Sequence, residues 1–193
     1  MTSRRDFVLG LGAVVAASPA FARRSGWRRL FDGRSLEGWT RIGGANWRVE
    51  EGDIVADAGS PGFLVSTDRY SDFELRAEFW ASDDANSGIF LRCQDPAEIA
   101  ARNAYEVNIF DRRPDPAYGT GAIVDVAPVS PMPRAGGRWN IMTIRALGDM
   151  LGVALNGHVT VAGARDGRYR EGQLALQYGA GIVRFRRVDV RPL

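Results

Sequence analysis

After residue 22 the chain carries almost no helical signal; short runs in which apolar and polar residues alternate recur to the C-terminus, separated by Gly, Pro, Asn and Asp. Successive side chains of an extended strand point to opposite faces, so this alternation predicts half-buried β-strands. The clearest run is Asp72 to Trp80, where Phe73, Leu75, Ala77 and Phe79 take one face and Glu74, Arg76 and Glu78 the other. Further strands are predicted at 47–51, 53–56, 63–66, 88–94, 105–110, 121–126, 139–147, 150–155, 158–161, 173–178 and 182–190. So many strands with no helices between them predict an all-β chain, two antiparallel sheets packed as a jelly-roll sandwich, with a closed barrel as the alternative.

Local signals refine this outline. Asn156-Gly157 sits between Leu151, Val153, Leu155 and Val159, Val161. Both residues accept the positive φ of a type I′ turn, so a two-residue hairpin is expected. The apolar phase of the last strand switches from Val183 and Phe185 to Val188 and Val190, which predicts a bulge near Arg186 and Arg187. Residues 95–103, with Pro96 and Ile99, are expected to form a short helical turn.

The first residues read as an address. Ser3-Arg4-Arg5-Asp6-Phe7 is a twin-arginine signature, followed by the apolar run Val8 to Ala17 and the small-residue stop Ala20-Phe21-Ala22. The run is far shorter than the roughly 20 apolar residues a membrane span needs. Cleavage after Ala22 is expected, leaving one domain at 23–193 that acts in the periplasm or outside the cell with no stable membrane insertion. The 25 basic residues are all Arg and are interspersed with 23 acids, for a net charge of +2. No basic block marks a nucleic-acid surface. Cys93 is the one cysteine, so an intrachain disulfide is excluded and packing must hold the core.

Several motifs then follow in a recognisable order: Leu30-Phe31-Asp32-Gly33, Leu36 to Trp39, the NSGIFLR stretch from Asn86 to Arg92, and the YEVNIFD stretch from Tyr105 to Asp111. Thr120 to Ile123, Gly137 to Asn140, Asn156-Gly157 with Asp166, and Leu176-Gln177 complete the series. In this the mature chain resembles the 3-keto-disaccharide hydrolase family. The resemblance implies a concanavalin A-like lectin/glucanase jelly roll and action on glycosides whose sugar is oxidised at carbon 3. The chain departs from the family pattern at Asn108, where Gln is usual, and at Val124, Tyr178 and Arg187, where Tyr, His and Asn are common.

The strand phases suggest where chemistry sits. Glu106, Asn108 and Phe110 share the side opposite Tyr105, Val107 and Ile109, and Arg92 is expected on the polar side of its strand, opposite Ile89, Leu91 and Cys93. Glu106 and Arg92 are thus expected to face one groove. For the substrate implied by the resemblance, a ketone at carbon 3 acidifies the carbon-2 proton, so Glu106 is the candidate base and Arg92 the candidate enolate stabiliser. A cross-strand ion pair of no catalytic role is the alternative. Asp111 is the second candidate base or a metal ligand. Asn86, Ser87, Asn108, Gln177, Trp47 and Trp139 are the candidate sugar contacts, while Trp39 and Trp80 are expected in the core. No cofactor is required by any motif. Asp83-Asp84 and Asp111 with Asp115 offer oxygen ligands to a divalent cation such as Ca²⁺, and His158 is expected at the surface. A non-catalytic carbohydrate-binding module of the same fold is the alternative function, and an ordinary paired-carboxylate glucanase a weaker one.

Overall fold

The computed structural model describes residues 26–193; the twin-arginine segment and the cleavage point expected at Ala22 lie outside the described residues. The strands run β1 (Arg28–Arg29), β2 (Trp39–Ala45), β3 (Arg48–Glu50), β4 (Asp53–Ala56), β5 (Gly59–Tyr70), β6 (Phe73–Ala81), β7 (Asn86–Cys93) and β8 (Tyr105–Ile109). They continue as β9 (Trp139–Leu147), β10 (Met150–Leu155), β11 (His158–Arg165), β12 (Gly172–Ala180) and β13 (Val183–Pro192). An eight-stranded sheet is ordered β11-β10-β9-β6-β13-β4-β3, with β1 also on β13, and a five-stranded sheet is ordered β2-β5-β12-β7-β8. The named strand pairs are antiparallel, giving the two-sheet jelly-roll sandwich expected from the alternation.

The core lies between the sheets and follows the phases read from the sequence. β6 alternates buried and half-buried residues along its whole length. Phe73, Leu75, Ala77 and Phe79 face inward with Met142, Ile144, Phe185 and Val190, and meet Leu64, Ile89, Leu91, Val107 and Leu176 in one core cluster. Each large apolar side chain buried there contributes about 1.5–3 kcal/mol. The β10–β11 hairpin pairs Leu155 with His158, and Asn156 and Gly157 both have positive φ, at 51° and 82°. The β13 bulge is present between Phe185 and Arg187, where the partner strand advances by one residue, from Phe79 to Glu78.

Two expected elements differ. Residues 121–126 form turns rather than a strand, although they still satisfy β8: Asn108 N–H donates to Ala122 O and Val124 N–H to Glu106 O, both at 3.0 Å. Residues 95–103 form two separate hydrogen-bonded turns rather than a helix, with Glu98 N–H donating to Asp95 O and Asn103 N–H to Ala100 O. A 3-10 turn at Pro116–Tyr118, capped by Asp115, was not signalled by any apolar periodicity.

Arg92 does not lie on the side of β7 that the strand phase predicts. Between Cys93, opposite Gln173, and Phe90, opposite Ala175, β7 holds one more residue than β12, and Arg92 has a φ of 52°. This bulge turns Arg92 inward after Leu91 and sends Cys93 to the other side, where it packs with Phe90. The Arg92 guanidinium is fully buried and donates to Ser71 O, Gly148 O and Tyr169 O at 2.8–3.0 Å, with Asp72 Oδ1 at 3.1 Å. It ties together the β5–β6 turn, the β9–β10 turn and the approach to β12, and so does not face the groove with Glu106. Arg92→Met leaves these acceptors without their donor, and a loss of about 3–5 kcal/mol is expected in urea denaturation. Asp72→Asn, at a partly solvated partner, should cost less, and an undiminished stability in Arg92→Met would contradict the clamp.

Candidate functional site

The outer face of the five-stranded sheet gathers the groups that remain free for chemistry. The pairing places Glu106 beside Phe90, Ala175, Val65 and Thr40 in one cross-strand row, and Asn108 beside Gly88, Gln177, Phe63 and Ile42 in the next. Val65, Phe90, Cys93, Ala104 and Ala175 form a satellite apolar cluster there, with Ile42, Phe63 and Ile99 packed against it. Phe63 and Phe90 meet edge to face at 5.2 Å. The buried Cys93 thiol in this cluster is pushed up to about 12 by desolvation, which makes it a packing group rather than a nucleophile.

Glu106 rises from this apolar floor. Burial, reinforced by the Asp125 carboxylate and opposed by Arg113, pushes its carboxyl up to about 7. That is the range in which a carboxylate is a competent base near neutrality. Asp125 sits at φ 59° in the turn that Val124 N–H fastens to the Glu106 carbonyl. Arg113 is held over the rings of Tyr118 and Phe110, at 4.8 and 5.8 Å, and so is positioned by cation–π contact rather than by a direct ion pair with Glu106.

Gly88 opens the space between Glu106 and Gln177. A Cβ at this position would lie 3.2 Å from Val107 O, 3.3 Å from Gln177 Oε1 and 3.5 Å from Glu106 Cγ, so the bare backbone leaves a gap about the size of a methyl group beside the two side chains. Gln177 Oε1 is buried without a hydrogen-bond partner, an acceptor whose desolvation is uncompensated within the protein. Asn86 lies on the same side of β7 two residues earlier, its amide against Gly179.

Of the residues expected at a site, the structure brings Glu106 and Gln177 together across Gly88, and places Asn86 further along the same side of β7. The others, Trp139 apart, serve the fold. Asp111 Oδ1 accepts from the Thr120 hydroxyl and Oδ2 from Ala135 N–H and Gly136 N–H, so this carboxylate anchors two loops instead of facing the gap as a base. Asn108 is buried, donating to Tyr118 O and accepting from Ile109 N–H. Ser87 is on the core side and donates to Gln177 O at 2.7 Å. Trp47 is buried in the main core, and Trp139 lies on the outer face of the other sheet beside Trp80, which is half-buried there rather than in the core. Trp39 is a core residue as expected, donating from Nε1 to Leu30 O.

Arg113 lies in irregular chain beyond β8, where period-two alternation assigns no face, and Asp125 falls in the expected strand 121–126, which is a set of turns instead. The Arg-Arg-Pro run after the YEVNIFD strand was the one available hint. As to a cation, Asp84 accepts from Ser82 Oγ and Asp115 from Ala117 N–H, and among the described residues no three His, Cys, Asp or Glu side chains converge. His158 is exposed at its hairpin.

Comparison with known proteins bears on the family and the fold. A 3-keto-disaccharide hydrolase from Bacteroides thetaiotaomicron is 28% identical over a 147-residue alignment that covers 60% of this chain and 50% of that protein. The chain thus spans about half the length of this curated relative. Among solved structures, a provisionally named glycosyl hydrolase from Parabacteroides distasonis ATCC 8503 superposes with a TM-score of 0.78 at 19% identity, over 88% of this chain and 95% of that one. The carbohydrate-binding module CBM66 from Bacillus subtilis gives 0.63 at 20% identity, over 80% and 95%. At such identities these two likenesses establish the fold alone. The family match covers nearly all of the described chain: residues 26–191 fit the 3-keto-alpha-glucoside-1,2-lyase-like domain, and the chain belongs to that family.

Proposed function

We propose that this protein cleaves 3-keto-glycosides by removing the proton next to the ketone, with Glu106 as the general base. The observation that carries the reading is the Glu106 carboxyl on an apolar sheet face beside Gln177, where burial and the Asp125 carboxylate raise it to about 7. The family membership and the name of the Bacteroides relative supply the substrate class.

In the proposed reaction the Glu106 carboxylate takes the carbon-2 proton, and the electron pair of that C–H bond moves onto the carbon-3 ketone as an enolate. The enolate then collapses to a carbon–carbon double bond between carbons 1 and 2, breaking the bond from carbon 1 to the glycosidic oxygen. The departing oxygen takes a proton, and the released alcohol leaves an unsaturated ketone. Addition of water across that double bond, hydroxide to carbon 1 and a proton to carbon 2, completes a net hydrolysis. Arg113, whose charge acts on Glu106, takes in this proposal the enolate-stabilising role expected of Arg92. In this reading Gln177 Oε1 would accept from a sugar hydroxyl, with Phe63 beside it in the same cross-strand row. Export through the Arg4-Arg5 signature would put this reaction in the periplasm, and replacing both with Lys should leave the protein in the cytoplasmic fraction.

Glu106→Gln should lower aglycone release from 3-keto-glucosides by about 10²–10⁴-fold while the protein stays folded. Unoxidised glucosides should not react with either protein, and deuterium at carbon 2 should slow the reaction. Cleavage of unoxidised sugars alone would reject the proposal, as would full activity in Glu106→Gln. Retained sugar binding with no turnover in the unmodified protein would instead identify a binding module. For Arg113→Met a fall in kcat larger than any rise in KM is expected.

The rate should rise with pH through about 7, where Glu106 ionises. Its folded pKa lies above the ordinary 4.5, so the folded state holds a proton that the unfolded chain has lost between those values. Stability should therefore fall as pH rises across that window. Glu106→Gln should flatten this fall, which thermal melts across the window would measure.

A further inference from the structure

The outer face of the eight-stranded sheet is mostly a lattice of ion pairs: Glu74 with Arg191, Glu78 with Arg186, and Asp189 with Arg187. At one end the lattice gives way to a groove of about 440 Å³ lined by Trp80, Trp139, Ile182, Arg184, Asp53 and Glu51. This size falls within the roughly 300–1,000 Å³ of small-molecule sites. Trp80 and Trp139 stand directly opposite each other on β6 and β9, and Arg184 on β13 is opposite Trp80 from the other side. Both indoles are half-buried.

The groove is ordered before any ligand arrives. Arg186 stacks over the Trp139 ring at 4.3 Å and is fixed by Glu78 Oε2 at 2.9 Å, which locks the indole. Arg184 donates through Nε to Asp53 Oδ2 at 2.9 Å and through Nη2 to Glu51 Oε2 at 3.3 Å. Asp53 is itself mostly buried. Ile182 is 40% exposed, a large apolar side chain on an otherwise charged surface.

We infer that this groove is a second carbohydrate site, one that binds an uncharged pyranose on the face opposite Glu106 and performs no chemistry. Three features select that ligand. Paired indoles and Ile182 offer a broad apolar surface to the C–H face of a sugar ring. The indole N–H groups, the Arg184 guanidinium and the Asp53 and Glu51 carboxylates supply donors and acceptors to its hydroxyls. The one guanidinium lining the groove, Arg184, is already matched by two carboxylates, so the groove offers no free positive charge to a phosphate or a polyanion. The two sheets lie roughly 10 Å apart, so a sugar held here cannot reach Glu106, and the site stands or falls independently of the proposed cleavage.

An NMR titration of the protein tests this, with maltotriose and methyl α-glucoside as probes that lack the ketone. The indole N–H signals of Trp80 and Trp139, assigned from the Trp80→Phe and Trp139→Phe spectra, should shift saturably. Binding should weaken at least tenfold in Trp139→Ala and in Ile182→Arg, the latter altering only an exposed side chain and leaving the core intact. Glu106→Gln should leave this affinity unchanged, and Ile182→Arg should leave cleavage of a soluble 3-keto-glucoside unchanged. The inference is overturned if neither indole moves with either sugar, if Ile182→Arg leaves the affinity intact, or if Glu106→Gln removes the binding.

Discussion

Burial of one face of each sheet against the other governs everything else in this molecule. Once Phe79, Phe185, Leu64, Leu176 and Val107 are committed to the interior, strand geometry sends their neighbours outward with no further choice. Glu106 and Gln177 are on the outer face of their sheet because Tyr105, Val107, Leu176 and Tyr178 are not. The same constraint makes Trp80 and Trp139 outward partners on the other sheet, since Phe79 and Asn140 hold the buried positions. Two unrelated surfaces thus arise from one packing requirement.

Where the alternation breaks, a bulge has been inserted. At β13 the extra residue at Arg186 restores Val188 and Val190 to the core, an interruption announced by two apolar pairs on either side of it. At β7 the bulge at Arg92 does the opposite, carrying a charged group inward. A buried guanidinium is tolerable only when its donors are met, and here carbonyls from three segments and the Asp72 carboxylate meet them. The stabilising partners come from residues 20 to 77 positions away, so no local pattern announces them.

Polarity on the outer face of the five-stranded sheet is equally a product of context. A glutamate on a solvated strand would be an ordinary surface acid. Phe90 and Ala175 along its row, and Asp125 from a turn, raise Glu106 to about 7 instead. The absence of a side chain at Gly88 converts what would be a filled cross-strand pair into a gap beside the unpartnered Gln177 oxygen. Asp111, Ser87 and Asn108 have the right chemistry for a sugar site, yet their hydrogen-bonding capacity is taken up by Thr120, Ala135, Gly136, Gln177 and Tyr118.

By itself the sequence determined the all-β class, the phase of β6 and β8, the Asn156-Gly157 turn, the β13 bulge and the outward position of Glu106, since each depends on side-chain alternation or backbone φ preferences within a few residues. The motif order was enough to reveal the family. Only the tertiary structure decided that Arg92 clamps the end of the sandwich, that Trp139 belongs to the opposite face, and that Arg113 and Asp125 approach Glu106. Those outcomes rest on which turns meet which strands after the sheets have packed, and contacts between segments far apart in the chain leave no periodic trace in it.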